Sequence, residues 1–460
     1  MPAANSPTSQ LRPLIICHRE GLTHKVNTYL QRMVSPLTGI DKSLAFSLQD
    51  AASPRVHILM AQLTAVHRLL GLERPFSYHI GGYGVHPEET MMRALGESLE
   101  RYAHMVYPLD RRTVIEYATV KEMQARHEHV LALEDMRFYV PEQFARPGFP
   151  YQPCKDDTLL GWVETIDVFS GEPWWIPAQL LIVGYVPRHA LGEPWITAAV
   201  TTGSAAHTEP ARAMLSALLE LIQVDTTMGY WYSDKVAPEL IPDERTSALC
   251  EILKRDAPRN SVTIRFYYLT NADMQAHVVA AVIWNNRGHV PACGIGISAE
   301  LNLELAMYKA YLEAAAIPHL ALMAFVEMTG ASKGSGNGID PTSIYNLDTN
   351  VMYYAYPEHR RLIEKKFTSK QQIRASDLPA DHQGGAEEGL RSVLNEFRRT
   401  GKRLALLDLS SPEIEDLHFY VFRFYSPDTL GLCLPSAPQL AHRRYQAYGG
   451  ATHEWPHPYP

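Results

Sequence analysis

Apolar positions along the chain follow two periods. Alternating apolar and polar residues, rich in aromatic and β-branched side chains, predict strands within Trp162–Val186, over Thr263–Leu269 and Ala276–Trp284, and late in the chain over Leu404–Leu409 and Phe419–Phe424. Helical spacing predicts an amphipathic helix over Val56–Leu70. One arrangement then occurs three times: a small-residue turn followed by a long helix that carries acids. It spans His79–Tyr102, Ala198–Trp231 and Pro291–Ile317. Gly330–Pro341 reads as a Gly/Ser-rich loop, the first ten residues as disordered, and the stretch from Tyr448 as extended. No linker divides the three repeats, which predicts one large α+β unit built around three helices.

The acids on these helices are the candidate chemistry. Glu97 and Glu100 lie three residues apart and so share a helix face, where two carboxylates repel unless a cation sits between them. Magnesium suits such a pair, since it takes one or two carboxylates together with phosphate oxygens. Arg101 adds a charge for phosphate. The second helix, Ala211–Tyr230, is apolar at Ala213, Leu215, Ala217, Leu218, Leu221 and Ile222, yet it contains Glu220, Gln223 and Asp225. A carboxylate inside so apolar a sequence needs a partner. The turn before it, Thr202-Gly203-Ser204, can aim backbone N–H groups at an anion. The third helix, about Asn302 to Ala316, carries Glu304 and an i,i+4 pair, Lys309 and Glu313.

Composition narrows the class. The 460 residues are 46% hydrophobic and 20% charged, ordinary for a globular protein, and the formal charge of −8 gives no support to a nucleic-acid partner. The five cysteines, Cys17, Cys154, Cys250, Cys293 and Cys433, include no CxxC pair, so neither a structural zinc site nor a paired disulfide framework is expected. Reduced thiols, the lack of a signal pattern and the absence of any run near ~18–20 apolar residues point to a cytoplasmic chain with no membrane association. No Walker P-loop is present: the segment around Lys333 lacks its spacing.

Taken in order, the three acid-bearing segments resemble the three blocks of the YcaO family. The first is Gly82-Tyr83-Gly84 with Glu97-Ser98-Leu99-Glu100-Arg101. The second is Gly203 with Glu220-Leu221-Ile222-Gln223-Val224-Asp225 and Trp231. The third is Gly294-Ile295-Gly296 with Lys309-Ala310-Tyr311-Leu312-Glu313. Pro456-His457-Pro458-Tyr459-Pro460 is similar to the PxPxP ending of the azoline-forming branch, so the resemblance runs from about Gly81 to Pro460. Departures are Gln223 for a second acid, Val224 and Lys309 where arginine is common, and Arg93 where serine is frequent; the Glu-x-x-Gln-x-Asp form resembles the streptolysin-like branch.

The resemblance implies an ATP- and Mg2+-dependent cyclodehydratase that closes Cys, Ser or Thr of a ribosomal precursor peptide into thiazoline or oxazoline. It implies Glu97, Glu100, Glu220 and Gln223 as metal ligands, and Arg93, Arg101, Lys309, Gly203 and Ser204 as nucleotide-binding residues. Glu313 and the tail residues Pro456, Pro458 and Pro460 become the candidate catalytic groups, with the Pro460 carboxylate a candidate base. It further implies a leader-binding partner resembling ubiquitin-activating enzymes, a flavin-dependent azoline dehydrogenase as a second partner, and leaves a homodimer open. Thioamide formation and a non-catalytic scaffold are the competing readings. The expected organisation is an N-terminal region over 1–70, a catalytic domain over 71–445 and a Pro-rich tail over 446–460.

Overall fold

The computed structural model describes residues 21–48, 53–64, 66–69, 80–110, 112–256, 261–271, 273–331 and 339–459. The first ten residues, Pro460 and most of the Gly/Ser-rich loop with Lys333 therefore lie outside the described residues. Three sheets organise the rest. In the first, β1 (Asp41–Phe46), β2 (His57–Leu63) and β3 (Ile80–Gly84) run in the order β1-β2-β3. Two further sets of strands follow: β4 (Ile115–Thr119), β5 (Leu159–Asp167), β6 (Pro173–Pro177) and β7 (Ser204–His207), then β8 (Glu239–Ile241), β9 (Val262–Leu269), β10 (His277–Asn285) and β11 (Cys293–Glu300). The last three are β12 (Gln372–Arg374), β13 (Ala405–Asp408) and β14 (Tyr420–Tyr425). They form a five-stranded sheet, β11-β10-β9-β8-β12, and a six-stranded one, β4-β5-β13-β14-β7 with β6 paired to β5.

The three acid-bearing helices are Pro87–Val106, Pro210–Tyr232 and Leu303–Ala331. The first two open with proline, whose missing N–H costs nothing in a helix's first turn. The first packs on β3 and β2 and reaches β7; the third covers β11 and β10 and touches β3. The second lies between the two larger sheets, against β14 and β7 on one side and β11 on the other. That placement explains its sequence, which is apolar around nearly its whole circumference and buried from Leu221 to Tyr232 save for Gln223.

Four expectations change. Val56–Leu70 is not one amphipathic helix: His57–Leu63 is β2, held by β1 on one side and β3 on the other, where sheet pairing overrides helical spacing, and among the described residues of the span only Val66–Leu69 is helical. Because β1 and β2 complete the sheet of β3, that sheet crosses the expected boundary at residue 70. The Gly-x-Gly segments 82–84 and 294–296 are not turns but parts of β3 and β11. The third helix runs through Pro318 to Ala331 instead of stopping near Ala316, and Leu303–Val326 is, by length and composition, apolar enough to cross a membrane. It is half-buried, lies on β11 and carries Glu304, Lys309 and Glu313, the pattern of a core helix. The four cysteines in the described residues are unpaired.

Candidate active site

Two edge strands seat two of the acid-bearing helices. A Cβ on Gly82 of β3 would lie 2.0 Å from the Thr90 carbonyl oxygen of the first helix. A Cβ on Gly296 of β11 would lie 2.3 Å from both the Ala310 carbonyl oxygen and the Ala314 nitrogen of the third. Only glycine allows such close contact of strand and helix. In each case an outward-facing strand N–H is taken by a helix acid: Gly81 N–H donates to Glu97 Oε2 at 3.1 Å, and Ile297 N–H to Glu313 Oε2 at 2.6 Å. The second helix uses the same edge, since Ala299 N–H of β11 donates to Gln223 Oε1 at 3.2 Å. Side chains thus satisfy strand edges that would otherwise be open.

This seating gathers the acids. Arg101 donates to Glu100 Oε1 at 2.7 Å and to Glu97 Oε1 at 3.1 Å. Burial, reinforced by the Glu97 charge and opposed by Arg101 and Arg423, pushes Glu100 up to about 7. Burial raises Glu220 well above the carboxylate range, with the charges of Glu100 and Glu97 adding to the shift and Arg101 and Arg423 opposing it. Glu313 is also pushed up to about 7 by burial; the Ile297 N–H opposes this and Glu97 adds to it. Tyr83 of β3 is held protonated by burial and by the charges of Glu97 and Glu313. Glu97, Glu100 and Glu220 therefore sense one another, and Glu313 senses Glu97, in a partly buried cluster drawn from three helices.

Residues named from the sequence divide into two groups. Glu97, Glu100, Arg101, Glu220 and Glu313 converge. Gln223 stands beside them, with its carbonyl oxygen engaged by β11. Lys309 does not pair with Glu313; it forms its ion pair with Glu300 at the end of β11, because Glu313 turns to the Ile297 N–H. Arg93 is bound to the buried Glu89 at 2.9 Å, which also accepts the Tyr308 hydroxyl at 2.7 Å, so its charge is already matched. Gly203 adopts φ +82° and its carbonyl accepts the Phe424 N–H at 2.7 Å. Ser204 Oγ is 2.6 Å from His104 Nε2 in the interior, a contact that ties β7 to the first helix.

The tail is neither free nor regular. Pro456, His457, Pro458 and Tyr459 are buried. The Trp231 indole N–H donates to the Trp455 carbonyl at 3.0 Å, Tyr354 donates to the Pro456 carbonyl, and Asn350 to the Tyr459 carbonyl at 3.0 Å. Burial raises Tyr459, and the Glu313 charge adds to the shift, so the tail reaches the acid cluster.

Arg423 is the residue that sequence reading missed. It occupies the middle of the apolar strand Tyr420–Tyr425 and is 4% exposed, and an arginine inside an apolar strand was the available signal. Burial brings it down to about 10, against the opposing charges of Glu220 and Glu100. Asp225 has a different job: Arg444 (2.8 Å), Tyr448 (2.7 Å), the Leu430 N–H (2.8 Å) and Asn271 (3.2 Å) all donate to it, locking the second helix to the chain that leads into the tail.

Among the described residues no three His, Cys, Asp or Glu side chains form a ready cation cage. The arrangement still fits Mg2+ bound together with phosphates: clustered, desolvated oxygens whose mutual repulsion a divalent cation relieves, with arginines alongside for the anion.

Comparison with solved structures places the fold. A heterocyclase in complex with substrate and cofactor superposes with a TM-score of 0.71 at 18% identity, over 97% of this chain and 58% of the other. The chain therefore spans less than two thirds of that heterocyclase's length. Methanopyrus kandleri YcaO bound with AMPPCP and Mg2+ gives 0.57 at 16% identity, over 91% of each chain. The Escherichia coli microcin synthetase McbBCD complex with pro-MccB17 bound gives 0.62 at 16% identity, over 93% of this chain and 99% of that one. No curated protein matches significantly. Residues 81–430 match the family model described as YcaO cyclodehydratase, ATP- and Mg2+-binding, a span that holds both Gly-x-Gly strands and all three acid-bearing helices, and the chain belongs to the YcaO family.

Proposed function

We propose that this chain closes Cys, Ser or Thr residues of a ribosomal precursor peptide into thiazoline or oxazoline by phosphorylating the backbone amide with ATP. The observation that carries the reading is the electrostatic coupling of Glu97, Glu100, Glu220 and Glu313 with Arg101 and Arg423 in one partly buried cluster. The substrate side chain adds to the preceding carbonyl carbon and loses its proton. The resulting tetrahedral oxygen takes the γ-phosphoryl group, releasing ADP. The C–O bond then breaks as the amide nitrogen loses its proton, leaving a C=N bond in the ring and orthophosphate carrying the former amide oxygen.

Glu97, Glu100 and Glu220 would hold Mg2+ together with the nucleotide phosphates, and the ion would supply positive charge there. Gln223 keeps one carbonyl lone pair beyond the Ala299 N–H. Arg101 and Arg423 flank the same space and favour anionic groups. Glu313, pushed up to about 7, is matched to proton transfer near neutral pH and is the proposed proton carrier. The buried Pro456–Tyr459 segment beside it supports azoline over thioamide formation, in keeping with the resemblance of that segment. The family resemblance supports leader binding by a separate protein resembling ubiquitin-activating enzymes, with a flavin-dependent dehydrogenase acting on the product.

The test combines the chain with its cognate precursor and partner and follows both nucleotide and peptide. Loss of one water mass per ring with stoichiometric ADP is expected, and Glu220→Gln should abolish both. Exchange of oxygen for sulfur would favour thioamide formation, and no nucleotide turnover would favour a scaffold.

A further inference from the structure

We propose that the cavity behind the carboxylate cluster binds a small oxyanion of the size and charge of orthophosphate, with Arg423 as its anchor. The cavity measures about 50 Å³, several times the ~10–15 Å³ that one buried water requires. Thr197, Thr202, Ser426, Thr429 and Gln439 line it together with Arg423, and no aspartate or glutamate does. The wall's one full charge is positive, and among its hydroxyls Thr429 donates to the Ser426 carbonyl at 3.3 Å and Thr197 shares a hydrogen bond with Tyr139 at 3.1 Å. His442, also in the wall, is held neutral because burial lowers it to about 4, the nearby carboxylates notwithstanding.

Arg423 is built to need such a ligand. Its Nη1 donates to the Val200 carbonyl at 2.7 Å and its Nη2 to the Leu180 carbonyl at 3.1 Å. Its Nε is buried without a hydrogen-bond partner. Two neutral carbonyls fix the guanidinium in place but leave its charge uncompensated at contact distance, a costly arrangement for a buried ion. The hydroxyls of Thr202 and Ser426 each accept a backbone N–H, from Leu432 at 3.1 Å and Asp428 at 3.2 Å, so their own O–H bonds can point to an anion.

The cavity adjoins the chemistry. Leu221, next to Glu220, forms part of its wall, and Arg423 faces both the cavity and the electrostatic reach of Glu220 and Glu100. Under the proposed function, which this inference uses for the source of the anion, the orthophosphate released at ring closure has a site one side chain away.

The test needs no peptide. The full chain is saturated with Mg·ADP and titrated with inorganic phosphate by calorimetry, with phosphorus NMR in parallel. One phosphate per chain is expected, displaced by sulfate and indifferent to chloride at matched ionic strength. Arg423→Gln should weaken it at least ~10-fold, the scale of one charge-assisted hydrogen bond, and Arg423→Lys should weaken it less. Gln439→Leu, a near-isosteric change, should weaken phosphate several-fold while leaving Mg·ADP affinity and the melting temperature as they are. Phosphate binding that vanishes once Mg·ADP is bound, or that is equal in the wild type, Arg423→Gln and Gln439→Leu, overturns the inference. If phosphate binds as described but no precursor is ever modified, the proposed function falls and the anion site stands.

Discussion

Gly296 should be among the least replaceable residues in the chain, and its replacement by alanine separates seating from chemistry. The new methyl would start 2.3 Å from the Ala310 oxygen, 2.3 Å from the Ala314 nitrogen and 2.7 Å from the Glu313 Cβ. Ordinary contact begins near 3.4 Å, so β11 and the third helix must part by about 1 Å. Overpacking of this kind costs about 1–3 kcal/mol, and the protein should still fold. Catalysis is less forgiving, because a displacement of ~1 Å in a positioned group can cost ~100-fold in rate. The displaced group here is Glu313, whose 2.6 Å bond to the Ile297 N–H is made across the same seam. Gly296→Ala should therefore melt cooperatively in denaturant with stability lower by about 1–3 kcal/mol, while peptide-dependent ATP turnover falls about 100-fold. Turnover within about threefold of wild type in a folded Gly296→Ala protein would show that strand–helix seating does not set the position of Glu313.

Three other outcomes follow from the same packing. A Cβ on Gly96 in the first helix would meet nothing outside that helix nearer than the Ala206 oxygen at 4.0 Å, so Gly96→Ala should stabilise the protein by about 0.5–1 kcal/mol, read from its denaturation midpoint. Asp225→Ala leaves Arg444 paired with Asp273 alone (2.6 Å) and removes the shared acceptor of Tyr448, Asn271 and the Leu430 N–H; it should cost about 1–3 kcal/mol, with Tyr448 and the tail released to proteolysis. Asp381 is brought down to about 2: burial would raise it, but hydrogen bonds from His277, the Leu303 N–H and Arg245 prevail. A depressed carboxylate stabilises above its unfolded value of 3.8 and loses that contribution as pH falls through 2, so about 2 kcal/mol should disappear over that window and Asp381→Asn should flatten it.

The acids were legible because burial made them conspicuous. Glu220 stood in a run of apolar residues, and a helix packed on both sides by sheets admits such a residue only where something compensates it. Glu97 and Glu100 were legible from their three-residue spacing. Basic residues were read less well, since sequence gives a charge but not its partner. Arg93 and Lys309 looked free for phosphate, yet Glu89 and Glu300 were close enough along the chain to take them. Arg423 went unassigned because its environment is made by Leu180 and Val200, more than two hundred residues away. The misreading of Val56–Leu70 has the same origin: nothing local in Ile58-Leu59-Met60-Ala61 requires a strand, and the requirement comes from β1 and β3 on either side.

A single structural device accounts for how the acids of the site are held. Strands β3 and β11 end their sheets, and an edge strand must dispose of its outward N–H groups. Here Gly81, Ile297 and Ala299 give theirs to Glu97, Glu313 and Gln223, one from each acid-bearing helix. The bonds that close the sheet edges are thus the bonds that aim the site. They leave Glu97 and Glu313 each with one oxygen bound to backbone, so that rotation of either carboxylate would open a sheet edge. Repulsion within the cluster cannot then be relieved by moving the acids apart, and beyond the pairing of Glu97 and Glu100 with Arg101 only protonation or a further cation remains. Burial pushes Glu100 and Glu313 to about 7, which leaves protonation only partly effective at neutral pH. A divalent cation bound with an anionic ligand completes the charge balance, and the fold holds the acids in place until it arrives.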